Sequence, residues 1–316
     1  MDFSILVSNF WSLGLDGLVV GAIYALISLG YTLVYGVLRL INFAHSEIFM
    51  IGTMTVYLVV LQFGFTGYED PLPLLKFIGI FLLFATAAGI VSGGSAVLLE
   101  IVAYRRLRNM GASRLSSLIS AIGASFVLVE VFRIFSDSKN LDFPRLINKD
   151  PFLTIGTLYL SADKVLVLVG ATIIFLILNR IINHTKLGMG IRAVSQDERT
   201  AILMGVNVNK IISYTFLLGG VLAGVGSAFY MVFYETTKAN VGFLVGISAF
   251  TAAVLGGIGN VKGALYGSFA LGLIQQYTSA VLGYNWRDVV TFVILVLVLL
   301  IKPTGLFGEA LQKARV

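Results

Sequence analysis

The chain has 316 residues, of which 58% are hydrophobic and 12% are charged, and its mean hydropathy is +0.94. A soluble domain carries about twice that charged fraction, so the composition excludes a soluble protein and indicates one membrane domain over residues 1–316. The absence of cysteine excludes disulfides and zinc-thiolate sites, and two histidines far apart predict no metal site. The formal net charge of +6 is attributed to loops facing anionic membrane lipid, not to nucleic-acid binding.

Nine apolar stretches are candidates for membrane-spanning helices. A hydrocarbon core of roughly 30 Å needs about 20 apolar residues of helix, and only helices or closed barrels satisfy their backbone amides in lipid. Continuous apolar runs disfavour barrel strands, in which lipid-facing and lumen-facing residues alternate. The sequence therefore predicts an all-α, polytopic bundle of about nine spans, with a range of eight to ten: 17–38, 48–68, 77–99, 115–135, 165–179, 211–234, 239–261, 263–286 and 289–301. The first is expected to be a retained helix, because no Lys or Arg precedes Arg39 to form the positive region of a secretory signal.

Basic residues predict the orientation of these spans. The loops 104–114 and 180–210 are basic and fall on one side of the membrane, which the positive-inside rule makes cytoplasmic. The tail is expected on the same side; its basic residues are Lys302, Lys313 and Arg315. The opposite side receives acidic residues, namely Glu69, Asp70, Asp137, Asp142, Asp150 and Glu235. The N-terminus is thus expected outside and the C-terminus in the cytoplasm, which agrees with an odd number of spans.

Pairs of glycines four residues apart predict close helix packing, because membrane helices associate through small residues that let backbones approach. These pairs are Gly17/Gly21, Gly89/Gly93, Gly220/Gly224, Gly242/Gly246 and Gly263/Gly267. The glycine-rich stretch 254–263 lacks the GxxxxGK[ST] spacing of a phosphate loop, since Lys262 is followed by Gly263. If ATP powers this protein, another subunit must bind it.

Charged residues within the spans are few. Glu130 and Arg133 are three apart and are expected to form a pair near the outer end of the fourth span. Asp16 is expected at the outer start of the first span, and Glu47 close to the cytoplasmic boundary. A proton- or sodium-coupled carrier usually has buried carboxylates in mid-helix, and the sequence places none clearly there.

Three segments carry a family resemblance. Residues 40–52 are similar to an NFAHG segment, with Ser46 in place of the final glycine. Residues 100–108 are similar to the pattern E-R-x-x-Y-R-P-L-R, with Ile101 for arginine and Arg106 for proline, and they lead to LISAIG at 118–123. The third segment runs from 187–197 through 250–259 to 302–308. Together they resemble the high-affinity branched-chain amino acid permease family of bacterial ABC importers.

The resemblance implies a multi-pass permease subunit of the bacterial inner membrane that is not an enzyme. It would import branched-chain or other neutral amino acids by alternating access. Its implied partners are cytoplasmic ABC ATPase subunits, a second permease that is homologous or identical, and an extracytoplasmic solute-binding protein. ATP and Mg would bind to the ATPase subunits, with no cofactor on this chain. The alternatives are a urea, amide or sugar permease of the same type, and a stand-alone secondary transporter.

The resemblance also implies an ATPase-coupling helix within the cytoplasmic loop 184–210. An E-A-A-x-x-x-G pattern is partly present at 199–205, where Ala201 and Gly205 match and Arg199 and Thr200 do not. Ser195 is expected to cap a helix with Glu198 at its third position, and Gly205 to end it. The alternative is an ordinary amphipathic loop helix on the membrane surface. The expected coupling residues are Ser195, Gln196, Asp197, Glu198, Arg199, Ala201, Met204 and Gly205.

Polar residues in apolar spans are candidates for the substrate pathway, because a zwitterion needs a few fixed polar partners. These candidates are Asn42, His45, Ser248, Thr251 and Gln275. Structural roles are the alternative, with Asn42 and His45 in a re-entrant turn and the others in interhelical hydrogen bonds.

Overall fold

The computed structural model describes residues 3–65 and 71–308. Helices dominate it, and the helical fold class predicted from composition is confirmed. The helices are α1 Phe3–Ser8, α2 Phe10–Leu38, α3 His45–Gln62, α4 Leu74–Leu99, α5 Arg105–Asn109, α6 Arg114–Phe135, α7 Ala162–His184, α8 Lys186–Gln196, α9 Glu198–Leu203, α10 Val208–Tyr234, α11 Val241–Gly256, α12 Val261–Leu282 and α13 Arg287–Ile301. A π-helical turn, Glu100–Tyr104, joins α4 to α5, and a 3₁₀ turn, Tyr284–Trp286, precedes α13.

Each predicted span has a helix, but the count of nine is not established. Within the described ranges, seven helical segments are long and apolar enough to cross a membrane: Phe10–Leu38, His45–Gln62, Leu74–Asn109, Leu115–Phe135, Ala162–His184, Val208–Tyr234 and Tyr284–Ile301. The helix α12 has 22 residues, which is long enough, but it is not apolar enough to count among these seven segments. The helix α11 has 16 residues and rises about 24 Å. It is shorter than the predicted 239–261, because Gly257 and Gly259 take positive φ of 108° and 96° and end it.

Some predicted features fall outside the described residues. The predicted second span reaches residue 68, whereas α3 ends at Gln62. Tyr68, Glu69 and Asp70 lie in the part of the chain that the structure does not describe, as do Lys313 and Arg315. The orientation of the termini therefore stays a prediction.

The bundle is built around α2. Within its most apolar part 94% of the residues of α2 are buried, against 72% in α10 and 67% in α3. The corresponding shares are 6% in α6 and 11% in the segment that contains α13. Because these outer helices expose leucine, isoleucine and phenylalanine side chains, they form the lipid-facing surface.

The glycine pairs pack helices together as predicted. A Cβ atom on Gly220 of α10 would lie 2.7 Å from the carbonyl oxygen of Ser92 in α4, and Gly224 abuts Ala88 of α4. In the same way Gly17 lies against α12, where its Cβ would be 2.9 Å from the Cα of Leu273. These contacts leave no room for a side chain, so α2–α12 and α4–α10 meet backbone to backbone.

Two short antiparallel strand pairs accompany the helices, one between distant segments and one a local hairpin. Strand β1, Leu141–Asp142, pairs with β4, Thr236–Thr237, and β2, Leu153–Ile155, pairs with β3, Leu158–Leu160. Glu235, just before β4, forms ion pairs with Arg145 at 3.2 Å and Lys149 at 2.8 Å.

The connection between α2 and α3 folds back into the bundle. Arg39 ends α2 with a left-handed backbone (φ 51°), and α3 begins at His45. The imidazole of His45 packs directly on Gly30, eight residues before the end of α2. Because a helix rises 1.5 Å per residue, α3 starts roughly 12 Å inside the end of α2. Residues 39–44 therefore form a re-entrant loop.

Candidate functional site

The loop predicted to couple to an ATPase consists of the helices α8 and α9. Thr185 caps α8 by accepting a hydrogen bond from the backbone N–H of Gly188 at 3.2 Å. The cap of α9 is Asp197, whose Oδ1 accepts from the N–H of Arg199 at 2.9 Å and whose Oδ2 accepts from the hydroxyl of Thr200 at 2.6 Å. The hydrogen bond from Thr200 and those from backbone N–H groups lower the pKa of Asp197.

The prediction that Ser195 caps this helix is wrong. Ser195 lies in the last turn of α8, and its hydroxyl donates to the carbonyl oxygen of Arg192 at 2.8 Å. The carboxylate of Asp197 accepts hydrogen bonds from both Arg199 and Thr200, so Asp197 caps α9 and separates it from α8. Glu198 is then the first residue of α9 instead of its third.

The end of α9 carries an exposed apolar edge. Ile202, Leu203 and Met204 are 56%, 85% and 80% exposed, and they lie outside the segments able to span a membrane. Gly205 follows with a positive φ of 81° and ends the helix. Ala201 was expected on this docking surface, but it is 3% exposed and packs against its own chain. The residues 196–199 are exposed beside the apolar edge.

Arg39 joins this segment to α2, the most buried helix of the bundle. Its Nη2 donates to the carbonyl oxygens of Ser195 at 2.8 Å and Gln196 at 3.2 Å. The last carbonyls of a helix have no intrahelical partner and carry the negative end of its dipole, so a cation there is favourable. The C-terminus of α8 is thereby attached to the residue between α2 and the re-entrant loop.

Two further contacts anchor α8 to neighbouring helices. The guanidinium of Arg192 donates to the carbonyl oxygen of Ile182 in α7. A Cβ atom on Gly190 would lie 2.5 Å from Cδ1 of Ile211 in α10. Because three of its contacts reach α2, α7 and α10, displacement of α8 must strain all three helices.

A buried ion cluster lies where α4 turns into α5. The carboxylate of Glu100 is fully buried and binds Nη2 of Arg105 at 2.5 Å and Nη2 of Arg108 at 3.3 Å. The hydroxyl of Ser213, in the second turn of α10, also donates to it at 3.0 Å. The sequence argument treated these residues only as part of a family pattern. Their spacing of five and eight residues does not match a regular helix face, and the π-helical turn brings them together.

Two of the predicted pathway residues lie at the re-entrant loop: Asn42 is part of it, and His45 begins α3 directly after it. The Oδ1 of Asn42 accepts from the hydroxyl of Tyr104 at 2.8 Å. His45 is 1% exposed and its ring lies 4.7 Å from that of Tyr31, edge to face. Both side chains lie within the packed bundle, as the structural alternative expects, and their part in a substrate pathway stays a prediction.

Glu47, expected close to the cytoplasmic boundary, lies in the first turn of α3. Its side chain is fully buried, and its Oε1 accepts from the hydroxyls of Ser46 at 3.1 Å and Ser125 at 3.0 Å. It is buried because the re-entrant loop sets the first turn of α3 inside the bundle. The exposed pair Glu130–Arg133 forms as predicted, at 2.6 Å.

A second buried polar network contains Ser248 and Gln275, two of the three other predicted pathway residues. Gln275 of α12 is fully buried, and its Nε2 donates to Ser248 at 3.2 Å and to Thr291 at 2.6 Å. Its Oε1 accepts from Nε of Arg287 at 3.0 Å. Thr251 is also buried, but its hydroxyl has no hydrogen-bond partner among the described residues.

Sequence reasoning missed Arg287, which completes this network. Its Nη2 donates to the hydroxyls of Tyr24 and Tyr234, each at 3.0 Å. The available signal was an arginine directly before an apolar span, together with polar residues in mid-span. Nothing in the sequence states that these residues meet, because they come from five helices.

Comparison with known proteins agrees with this architecture. The family described as branched-chain amino acid transport system / permease component matches residues 14–299. The chain is 39% identical over 298 residues to the high-affinity branched-chain amino acid transport system permease protein BraD of Pseudomonas aeruginosa, covering 93% of this chain and 94% of that protein. It is 35% identical over 299 residues to the corresponding LivH protein of Escherichia coli K12, with the same coverage of 93% and 94%. The ribose import permease protein RbsC of Haemophilus influenzae is 25% identical over 65% of this chain and 61% of that protein. The chain is therefore a multi-pass membrane transport subunit that belongs to the family of branched-chain amino acid transport system permease components.

Proposed function

We propose that this chain is the membrane-spanning permease subunit of an ABC importer that carries branched-chain or other neutral amino acids across the bacterial inner membrane. The observation that carries the proposal is the 39% identity to a high-affinity branched-chain amino acid permease over 93% of the chain. The relative that carries ribose is more distant, at 25% identity over 65% of the chain. Amino acids are therefore the proposed substrate class.

The ATPase docks on α9. Ile202, Leu203 and Met204 form an exposed apolar edge outside the spans, and such an edge is a typical site of protein contact. A short helix with an apolar face fits a groove of a partner, with charged residues at the rim. The rim here is formed by residues 196–199, which include Asp197, Glu198 and Arg199.

Movement of α9 reaches the bundle through α8. Arg39 attaches the end of α8 to α2, and Arg192 attaches it to α7. Closure of the ATPase dimer on ATP would then favour one of two bundle conformations, because a ligand shifts an equilibrium only through contacts that differ between the two states. Alternation between outward-open and inward-open states moves the solute.

The partners follow from this role. Two cytoplasmic ABC ATPase subunits bind ATP and Mg, a second permease subunit completes the pathway, and an extracytoplasmic solute-binding protein delivers the amino acid. This chain binds no nucleotide in the proposal, since its glycine-rich stretch 254–263 lacks a phosphate-loop spacing.

Reconstitution tests the proposal. The complete complex is placed in lipid vesicles with the solute-binding protein, and uptake of radiolabelled leucine, ribose and urea is measured with and without ATP. We expect ATP-dependent accumulation of leucine and none of ribose or urea. Accumulation of leucine without the ATPase subunits would support a secondary transporter instead. ATP-dependent accumulation of ribose or urea but not leucine would reject the substrate class.

A further inference from the structure

Arg287 is a buried cation without an acidic partner. Its side chain is 8% exposed, and none of the ion pairs between described residues includes it. Its three hydrogen bonds go to neutral acceptors, the Oε1 of Gln275 and the hydroxyls of Tyr24 and Tyr234. The positive charge is therefore hydrogen-bonded but not neutralised by these side chains.

This charge is enclosed between helices. Arg287 is the first residue of α13 and bonds Tyr234, the last residue of α10, so it lies near one end of these two helices. It also bonds Tyr24 in the middle of α2 and Gln275 in the second half of α12. Charged side chains within a membrane bundle are rare because they are costly, and they mark solute and ion pathways.

The network fixes the direction of the guanidinium. The hydroxyl of Tyr24 donates to Oε1 of Gln275 at 3.0 Å while accepting from Arg287. The amide nitrogen of Gln275 is held in turn by Ser248 and Thr291. The rings of Tyr234 and Tyr284 lie 6.0 Å and 5.7 Å from the guanidinium carbon. Nε and Nη2 are thus occupied, whereas Nη1 donates to no residue in the described part of the chain.

We infer that Nη1 of Arg287 binds the carboxylate of the solute as it crosses the bundle. This inference rests on the proposed function. An arginine held in one orientation with a free N–H group matches a carboxylate through a charge-assisted hydrogen bond. Sugars and urea carry no charge, so a pathway for them needs no buried cation. Because Arg287 is 8% exposed here, the carboxylate reaches it when alternating access separates the helices.

Binding of two solutes that differ only in the carboxylate tests this inference. The complete complex is placed in nanodiscs without the solute-binding protein, and saturation binding of labelled leucine and labelled leucinamide is measured. We expect leucine to bind about tenfold more tightly than leucinamide, as one charge-assisted hydrogen bond provides. In Arg287→Gln the affinity for leucine should fall until the two solutes bind equally. Arg133→Gln, which breaks an exposed ion pair, is the matched control and should keep the preference.

Other outcomes overturn the inference. If Arg287 had only a structural role, Arg287→Gln would lower the affinities for leucine and leucinamide equally, and the ratio of the two affinities would not change. A lipid role would leave the ratio unchanged and remove bound anionic phospholipid, which native mass spectrometry detects. If Arg287→Gln does not assemble, the wild-type complex decides, because equal binding of leucine and leucinamide to it rejects the inference. If the wild-type complex takes up leucine with ATP but Arg287→Gln keeps the leucine-to-leucinamide affinity ratio, this inference alone is rejected. If the wild-type complex takes up no leucine, the proposed function is rejected.

Discussion

The guanidinium of Arg39 lies 2.8 Å from the carbonyl oxygen of Ser195, so the end of the central helix α2 is bonded to the end of helix α8. Arg39 also begins the re-entrant loop, which places His45 against Gly30 in the interior. One side chain therefore connects the proposed ATPase-docking segment to the most buried helix of the bundle.

Loss of this contact should uncouple ATP hydrolysis from uptake. In Arg39→Ala the terminal carbonyls of α8 lose their cation, and we expect uptake per ATP hydrolysed to fall about two- to fivefold, in line with a helix-terminus interaction on an exposed surface. Uptake and phosphate release are measured together in vesicles. Arg39→Lys keeps the charge and should fall between wild type and Arg39→Ala. An unchanged ratio in Arg39→Ala would reject this role.

The apolar edge of α9 should be needed for assembly with the ATPase. Leu203 is 85% exposed, so Leu203→Asp costs the isolated chain little but places a carboxylate in an apolar interface. We expect at least about tenfold weaker co-purification of the ATPase subunits. Ile155→Asp, at a residue 63% exposed on the β2–β3 hairpin, is the matched control and should have no effect. Equal retention of the ATPase by both variants contradicts the docking assignment.

Gly205 should act through its backbone conformation. Its φ is 81° and a Cβ there would meet no atom within 4 Å, so substitution is limited by the left-handed backbone and not by space. Gly205→Val should displace the end of α9 and lower leucine-stimulated ATP hydrolysis severalfold, because β-branched residues avoid this region. Gly205→Asn should keep most activity, since asparagine adopts it more readily. Full activity in Gly205→Val would show that the end of α9 is not used in coupling.

The cap at Asp197 should make coupling insensitive to pH near neutrality. Hydrogen bonds from Thr200 and from backbone N–H groups lower its pKa below the usual 3.8. A carboxyl with a lowered pKa stabilises the folded state above its usual pKa, and this contribution disappears as pH falls through the lowered value. Uptake should therefore show no titration of Asp197 from about pH 5 to pH 8. Asp197→Asn keeps an acceptor oxygen and should couple normally, whereas Asp197→Ala should not. Equal coupling by these two variants would exclude the cap.

Glu100 should be important for stability. Glu100→Gln removes a fully buried carboxylate and leaves Arg105 and Arg108 facing each other, so we expect a loss of about 2 kcal/mol and a lower Tm in detergent. Glu130→Gln breaks an ion pair whose side chains are 56% and 51% exposed, and no measurable change is expected. If both variants have the wild-type Tm, the cluster contributes nothing to stability.

The sequence predicts the helices well because lipid leaves the backbone few choices. An apolar run of membrane length must be helical, and the glycine pairs at Gly17 and Gly220 report which faces approach closely. The predicted end of α11 was wrong by five residues, since hydropathy does not register the backbone break at Gly257.

The site was less accessible from the sequence because it depends on long-range contacts. Gln275 was predicted as a polar residue in an apolar span, but its partners Tyr24 and Arg287 come from other helices. Ala201 matched a family pattern, yet its burial is decided by packing within the chain. Ser195 was a reasonable cap, and Asp197 replaced it because a carboxylate accepts two bonds.

The burial of α2 has a consequence for biogenesis. Ser28 of α2 bonds Ser268 of α12 at 2.8 Å across a sequence separation of 240 residues. During translation α2 enters the membrane long before α12 exists, so its hydroxyl groups first face lipid or early neighbours. The central helix is thus inserted first but gains its last packing partner late. A chain whose synthesis stops before residue 261 lacks α12, and Gly17 and Gly21 of α2 then have no α12 backbone to pack against.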